Sequence, residues 1–245
     1  MNNDGTLSVL QGSTVLATSL IPLLQNVEYY MQGKVKVSAS VGTIELRIDL
    51  NTVLTATGIN MGGSTWNQLR LGWVASKTDA QSSWNFDDLY VCDNYDIGDG
   101  WTDFRGDVRI DARRAVSDGA NVQWVPSSGS SRAAMIDETL ADGDVTYITA
   151  SGVGEKVSCV WEDAAAVGGE IYGVQIVMQS RKTDSGTAGQ KSLARIGGTD
   201  YLGTELSVSS SYSMLRQVHG VSPATGVGWT EAEFNAAEFG AQKST

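Results

Sequence analysis

Carboxylates and indoles gathered near the middle of the chain are the side chains best suited to chemistry. Asp93, Asp96, Asp99 and Asp103 fall in Asp-Asn-Tyr-Asp-Ile-Gly-Asp-Gly-Trp-Thr-Asp, a run of turn formers and acids. Hard cations such as Ca²⁺ take several carboxylate and carbonyl oxygens from such a loop. The spacing departs from a calcium loop, because Tyr95 and Ile97 stand where oxygens are needed. A solvated linker accounts for the same residues, and calcium is the one cofactor that the sequence raises. Trp66, Trp73 and Trp84 precede this run and Trp101 lies within it, all spread over the loops near the expected Phe86–Cys92 strand. Exposed indole rings stack on sugars, which makes these four candidates for a carbohydrate-binding face; cores and a domain interface are the competing use.

Other motifs carry less. Asp184-Ser185-Gly186-Thr187 matches the string that opens an aspartic-protease site. That mechanism needs two carboxylates sharing a proton, and the string has no second copy, so a hairpin turn of Asp, Ser and Gly explains it. In Arg105-Gly106-Asp107, Gly106 is expected to set a turn before a strand rather than to serve cell adhesion. His219 is the only histidine and has no nucleophile elbow to serve. Asp87 and Asp88 are adjacent on an expected strand and so point to opposite faces, which leaves at most one for any site. Cys92 and Cys159 are expected as two small buried side chains, with one inter-domain disulfide as the alternative. No catalytic residue is nominated.

Positioning such groups falls to short strands. The chain has 245 residues, 28 Gly and only 3 Pro, with a hydrophobic fraction of 41%. That length supports one large sandwich or two ordinary domains. Its formal charge of -11 repels a phosphate backbone, so nucleic acid is not an expected partner. The longest apolar run, near Val15 to Leu24, is broken by Thr18, Ser19 and Pro22, too short for membrane insertion. The first residues lack the basic and apolar regions of a signal peptide, which suggests synthesis in a cytoplasm.

Strands are expected at Thr6–Leu10, Thr14–Thr18, Glu28–Ser38, Thr43–Leu50, Asn51–Thr57, Asn67–Gly72 and Phe86–Cys92. Val35 and Val37 share one face; Ile44, Leu46, Ile48 and Leu50 share another, and these apolar faces need a second layer. After the acidic run come Asp107–Ala112, Thr146–Ile148, Glu155–Trp161, Ile171–Gln179, Leu193–Ile196 and Tyr212–Val218. In the best of them Tyr172, Val174, Ile176 and Met178 lie on one side. Thr230 and Glu233 form a capping-box pattern for one short helix, with a turn and a terminal strand over Ala236–Ala241 as the alternative. The fold class is therefore all-β: two β-sandwich, jelly-roll-like domains, over residues 1–95 and 104–245.

Two resemblances add to this. The Gly-Thr-Leu-Ser-Val hairpin, the Glu-Tyr-Tyr strand, Ile-Glu-Leu-Arg-Ile-Asp, Asn-Gln-Leu-Arg-Leu-Gly and Phe-Asp-Asp-Leu-Tyr-Val resemble the later strands of a laminin-G or concanavalin-A-like sandwich over Gly5–Val91. The opening strands of such a sandwich are missing, so a reduced sandwich, a late start or strands supplied by another polypeptide are all open. An incomplete sheet exposes backbone edges, which favours a homo-oligomer. Over Phe104–Gly240, the segments Arg105–Asp111, Trp124–Gly129, Ile171–Gln175 and Trp229–Gly240 resemble tailed-phage virion proteins in which a concanavalin-A-like module precedes a β domain. The resemblance implies a non-enzymatic structural or accessory component of a tailed-phage particle, on the tail or as a capsid decoration, located in the virion. It would act through other virion proteins and through host attachment. A lectin-like attachment module binding a host-surface glycan is the alternative, and a glycan-degrading enzyme the second.

Overall fold

The computed structural model describes residues 2, 4–62, 85–92, 103–164 and 170–245. It is all-β apart from one six-residue helix and a 3₁₀ turn. Among the described residues the chain divides into two compact units, the first ending at Ile110 and the second beginning at Asp111. Residues 104–110, expected in the second domain, thus lie with the first.

In the first unit, β1 (Ser8–Gln11) and β2 (Thr14–Thr18) form a hairpin, and β3 (Met31–Lys36), β4 (Gly42–Ile48) and β5 (Asn51–Ile59) an antiparallel sheet in that order. Alternation along β4 sends Ile44, Leu46 and Ile48 to one face. There Ile44 and Ile48, with Val53, Leu54 and Ile59 of β5, form the core. Leu7, Val9, Leu16 and Ala17 pack on it from the hairpin region, which supplies the second layer. Leu50 leaves the set: it sits in the β4–β5 turn at φ 68° and is 57% exposed. Val35 and Val37 are also exposed.

Two expected strands are not strands. Phe86–Cys92 and Asp107–Ala112 are irregular, and Asp88, in the left-handed region at φ 50°, breaks the first of them. Asn67–Gly72 lies outside the described residues. Tyr90 and residues 103–106 instead cover the polar face of the β3–β4 pair. Arg47 stacks 3.9 Å from the centroid of the Phe104 ring, and Lys34 pairs with Asp103 at 2.9 Å. Beneath them Gln32 is buried. With its amide oriented so that the oxygen meets donors, Gln32 accepts from the backbone N–H groups of Arg105 (3.2 Å) and Gly106 (3.3 Å) and from the Tyr90 hydroxyl (2.6 Å). The Tyr30 hydroxyl donates to the Gly106 carbonyl, and burial pushes its pKa up.

The second unit holds β6 (Ala115–Val122), β7 (Val125–Pro126), β8 (Ile148–Thr149), β9 (Lys156–Trp161), β10 (Val174–Ser180), β11 (Gly189–Ile196), β12 (Thr199–Leu202), β13 (Leu206–Ser207), β14 (Ser213–His219) and β15 (Glu238–Lys243). The main sheet runs β12-β11-β15-β9-β6, with β13 also on β11. β10 and β14 pair with each other over their whole length as a separate ribbon. Val174, Ile176 and Met178 of the ribbon are buried, as alternation requires, and pack with Val157, Ala194, Phe239 and Ala241 of the sheet. That cluster is the main core, and two β layers face each other across it. Trp161 also touches a smaller cluster of Ala115, Ala133 and Cys159.

At the C-terminal end both alternatives occur in succession. Helix α1 (Glu231–Ala236) is capped by Thr230, whose hydroxyl accepts from the Glu233 N–H at 3.1 Å, and β15 follows at once. The Glu233 side chain does not return to Thr230; it accepts from the buried Ser222 hydroxyl at 2.6 Å.

Candidate functional site

Cross-strand partners share a face of a sheet. In the second unit Ser192, Ala241 and Val157 line up toward the core, as do Ala194, Phe239 and Cys159; Leu193, Gly240 and Ser158 line up on the opposite face, beside Arg195, Glu238 and Val160. Leu193 and Ser158 have no exposure at all, so that opposite face is covered too. What covers it is the curl of the sheet. β12 and β6 stand at opposite ends of the strand order, about 19 Å apart if the sheet were flat. Yet Asp200 of β12 accepts from Asn121 of β6 at 3.2 Å and from Lys156 of β9 at 2.9 Å. Arg195 adds a third donor at 2.7 Å.

Two glycines permit this curl. A Cβ on Gly240 would lie 2.0 Å from the Val157 carbonyl oxygen, and one on Gly119 would lie 2.3 Å from a Glu238 carboxylate oxygen. Gly119 sits where the β6–β9 register shifts, between Asp118 and Val122. In that bulge the N–H of Ala120 donates to Glu238 at 2.8 Å and that of Asn121 to Ser158 at 3.0 Å, while the Ser158 hydroxyl donates to Glu238 at 2.6 Å. The bulge thereby satisfies backbone groups that lost their ladder partners.

Asp200 is the centre of the arrangement, with its side chain 14% exposed. Burial alone would raise its pKa, but hydrogen bonds from Lys156, Arg195 and Asn121 outweigh burial and hold it below the usual carboxylate value. An ionised carboxylate held by three fixed donors, two of them cationic, is a fastening rather than a base, since most of its roughly four acceptor positions are engaged and its proton affinity is lowered. Asp118 is used in the same manner. Its carboxylate accepts from the N–H groups of Arg132 (2.6 Å) and Ala133 (2.8 Å) and from Ser131, which pins the 3₁₀ turn Ala133–Met135 against β6. Those bonds lower its pKa against the opposing effect of burial.

Of the calcium and sugar candidates singled out from sequence, Asp103 alone is among the described residues. Trp66, Trp73, Trp84, Trp101, Asp93, Asp96 and Asp99 lie outside the described residues. Asp103 is described, and its carboxylate accepts from Lys34 and from the Phe104 N–H at 2.8 Å, so it serves the first unit's polar layer. Among the described residues no three His, Cys, Asp or Glu side chains are grouped as a metal site, and no helix is long and apolar enough to cross a membrane. Asp184 is exposed in the connection from β10 to β11; these strands do not pair, so the Asp-Ser-Gly-Thr string is a crossover between layers and not a hairpin turn. Gly106 has φ 81° as a turn requires, without a strand after it. Cys159 is buried and its thiol is pushed up to about 12, first by burial and then by the charges of Asp118 and Glu238. Cys92 is half-buried, and neither cysteine forms the disulfide that was the alternative.

Asp200, Lys156, Arg195 and Glu238 were missed by motif reasoning because Lys156, the Arg195–Asp200 hairpin and Glu238 come from three different parts of the chain. One signal was legible: Arg195 and Asp200 flank the Gly197–Gly198 turn, both glycines at positive φ, and so face each other across a hairpin.

The first unit offers a different surface. A cleft of about 390 Å³ opens between the Ile21–Leu24 segment, Tyr29 and the Asp49–Asn51 turn. Ile48 and Val53 line it as well, and its wall is largely aliphatic. Around it Leu20 is 92% exposed, Leu24 66% and Ile21 57%. The turn is fixed by reciprocal bonds, the Tyr30 N–H to the Asp49 carboxylate at 3.0 Å and the Asp49 N–H to the Tyr30 carbonyl at 2.8 Å.

Compared with protein-family models, with curated proteins and with solved structures, the chain matches none of them.

Proposed function

We propose that the protein is a non-enzymatic structural or accessory component of a tailed-phage particle, on its tail or capsid surface, working through contacts with other virion proteins and with copies of itself. The observation that carries the reading is the aliphatic cleft border of the first unit, where Leu20, Ile21, Leu24 and Leu50 stand in solvent. Clustered exposed apolar side chains mark contact surfaces more often than catalytic ones. The commitment of Asp118 and Asp200 to holding strands agrees with a building-block role. The phage assignment itself rests on the sequence resemblances over Gly5–Val91 and Phe104–Gly240.

Quantitative mass spectrometry of purified particles from the encoding phage, calibrated against the major capsid protein, tests the proposal. A fixed number of copies per particle is expected. Hundreds of copies would place the chain on the capsid surface or tail tube, and a few dozen or fewer at the tail tip. Its absence from particles would overturn the virion role.

A further inference from the structure

The β10–β14 ribbon is bound to the rest of the second unit chiefly through side chains, because its strands hydrogen-bond as a ladder to each other and not to the main sheet. Its inward residues pair as Val174 with His219, Ile176 with Gln217 and Met178 with Leu215. The three from β10 are buried aliphatic side chains of the main core. His219 closes that row. Its Nε2 lies 3.5 Å from the hydroxyl of Ser192, a β11 residue with no exposure, and its carbonyl accepts from the Trp229 indole at 3.0 Å. One imidazole therefore sits at the seam of the ribbon, the sheet and the segment leading into α1.

We propose that this seam is an acid-sensitive latch: protonation of His219 loosens the β10–β14 ribbon from β11 and exposes the apolar face of Val174, Ile176 and Met178.

Among the described residues the surroundings give an imidazolium no charged partner. β10 carries no charged residue. On β14 the one other charged group, Arg216, pairs with Val177 on the outward face. On β11 Lys191 and Arg195 point away from Ser192, to the opposite face of the sheet. In α1 the Glu233 carboxylate is engaged by Ser222, and Glu205, in the segment after β12, lies against Gly189 at the far end of β11. Neither Glu231 nor any other carboxylate among the described residues moves the His219 pKa, which burial alone lowers. A neutral imidazole can accept one hydrogen bond and donate another, whereas the protonated ring only donates and gains a charge that the seam leaves poorly solvated. The sign follows from linkage. With the folded pKa below the ordinary value of 6.5, the ribbon's attachment is full above pH 6.5 and weakens as the pH falls toward the folded pKa. His219 is the only histidine, so no other side chain at its ordinary pKa titrates in that window.

Hydrogen exchange of the full chain at pH 7.5 and 5.5, corrected for intrinsic rates, reads the latch. The amides of Val174–Ser180 and Ser213–His219 are expected to lose protection by roughly tenfold per pH unit between 6.5 and the folded pKa, while those of β9 and β15 hold. His219→Gln, uncharged and of similar size, is expected to remove the pH dependence. Titration of the single imidazole by NMR in the unaltered protein is independent of any variant, and a midpoint below 6.5 is expected. Equal ribbon protection at the two pH values, an imidazole midpoint at or above 6.5, or the same acid loss in His219→Gln would each overturn the proposal.

Discussion

The two units divide the work of an all-β chain differently. In the first, a three-stranded sheet and a hairpin bury a core built on five aliphatic residues and leave Leu20, Ile21, Leu24 and Leu50 in solvent. In the second, the sheet curls until its two ends are tied by Asp200, and both faces hold side chains with no exposure, Ser192 toward the ribbon and Leu193 and Ser158 on the other side. The difference is one of closure. The second unit's exposed apolar side chains, such as Leu140, Val145 and Val153, stand on its connections, whereas in the first unit Leu20, Ile21 and Leu24 stand together beside one aliphatic cleft. The contact surface of the proposed function accordingly belongs to the first unit and the scaffold to the second.

The strongest way to break that contrast is to open each core in turn. Phe239 is buried between Trp229 and Phe234, with ring centroids 6.0 and 5.4 Å away, and Phe239→Ala should cost about 4 kcal/mol. Leu54, also buried, should cost about 3 kcal/mol as Leu54→Ala. Each core lies within one unit, so hydrogen exchange in each variant should show lost protection confined to its own unit. Loss spread evenly over both would mean that the chain folds as one cooperative body.

A smaller effect tests the tie itself. Asp200→Asn keeps the size of the side chain but leaves Lys156 and Arg195 without their shared carboxylate, and the part-buried position suggests a loss of about 2 kcal/mol. The same carboxylate predicts an acid response. Because its folded pKa lies below the ordinary 3.8, its contribution is present above that value and is lost as the pH falls through the folded pKa. Denaturant midpoints measured between pH 5 and 2.5 should fall in the unaltered protein and fall less in Asp200→Asn. Parallel curves would show that the tie contributes nothing.

Much of the second unit's strand pattern was legible in the sequence, because alternation is a local property. Tyr172, Val174, Ile176 and Met178 were read on one face, and the last three are buried there. The failures have a common cause. Asp107–Ala112 alternates and Phe86–Cys92 ends in an apolar run, yet Arg105, Gly106 and Tyr90 spend their polar groups on Gln32 and its neighbours, a tertiary demand that overrides local pattern. β6 was not anticipated, since Ser117, Asp118, Gly119 and Ala120 have poor strand propensity and are held by the bulge contacts to Ser158 and Glu238. Beyond the Arg195 pair, the Asp200 tie was invisible for a similar reason: Asn121 and Lys156 lie on strands that are remote in sequence and reach Asp200 only through the curl.

The smallest effect expected is at Thr230, where sequence and structure agree most closely. Thr230→Ala removes the acceptor of the Glu233 N–H and should cost about 1 kcal/mol. Half of the capping box is absent, since Glu233 is bound to Ser222 instead of the Thr230 N–H. Glu233→Gln should therefore act mainly through Ser222, whose hydroxyl also accepts from the Ala224 N–H at 3.2 Å. A double-mutant cycle with Thr230→Ala and Ser222→Ala separates the two: Glu233→Gln should couple strongly to Ser222→Ala and weakly to Thr230→Ala. The opposite pattern would restore the full capping box in solution and would make the helix self-sufficient, no longer tied to the Ser222 loop of the closed unit.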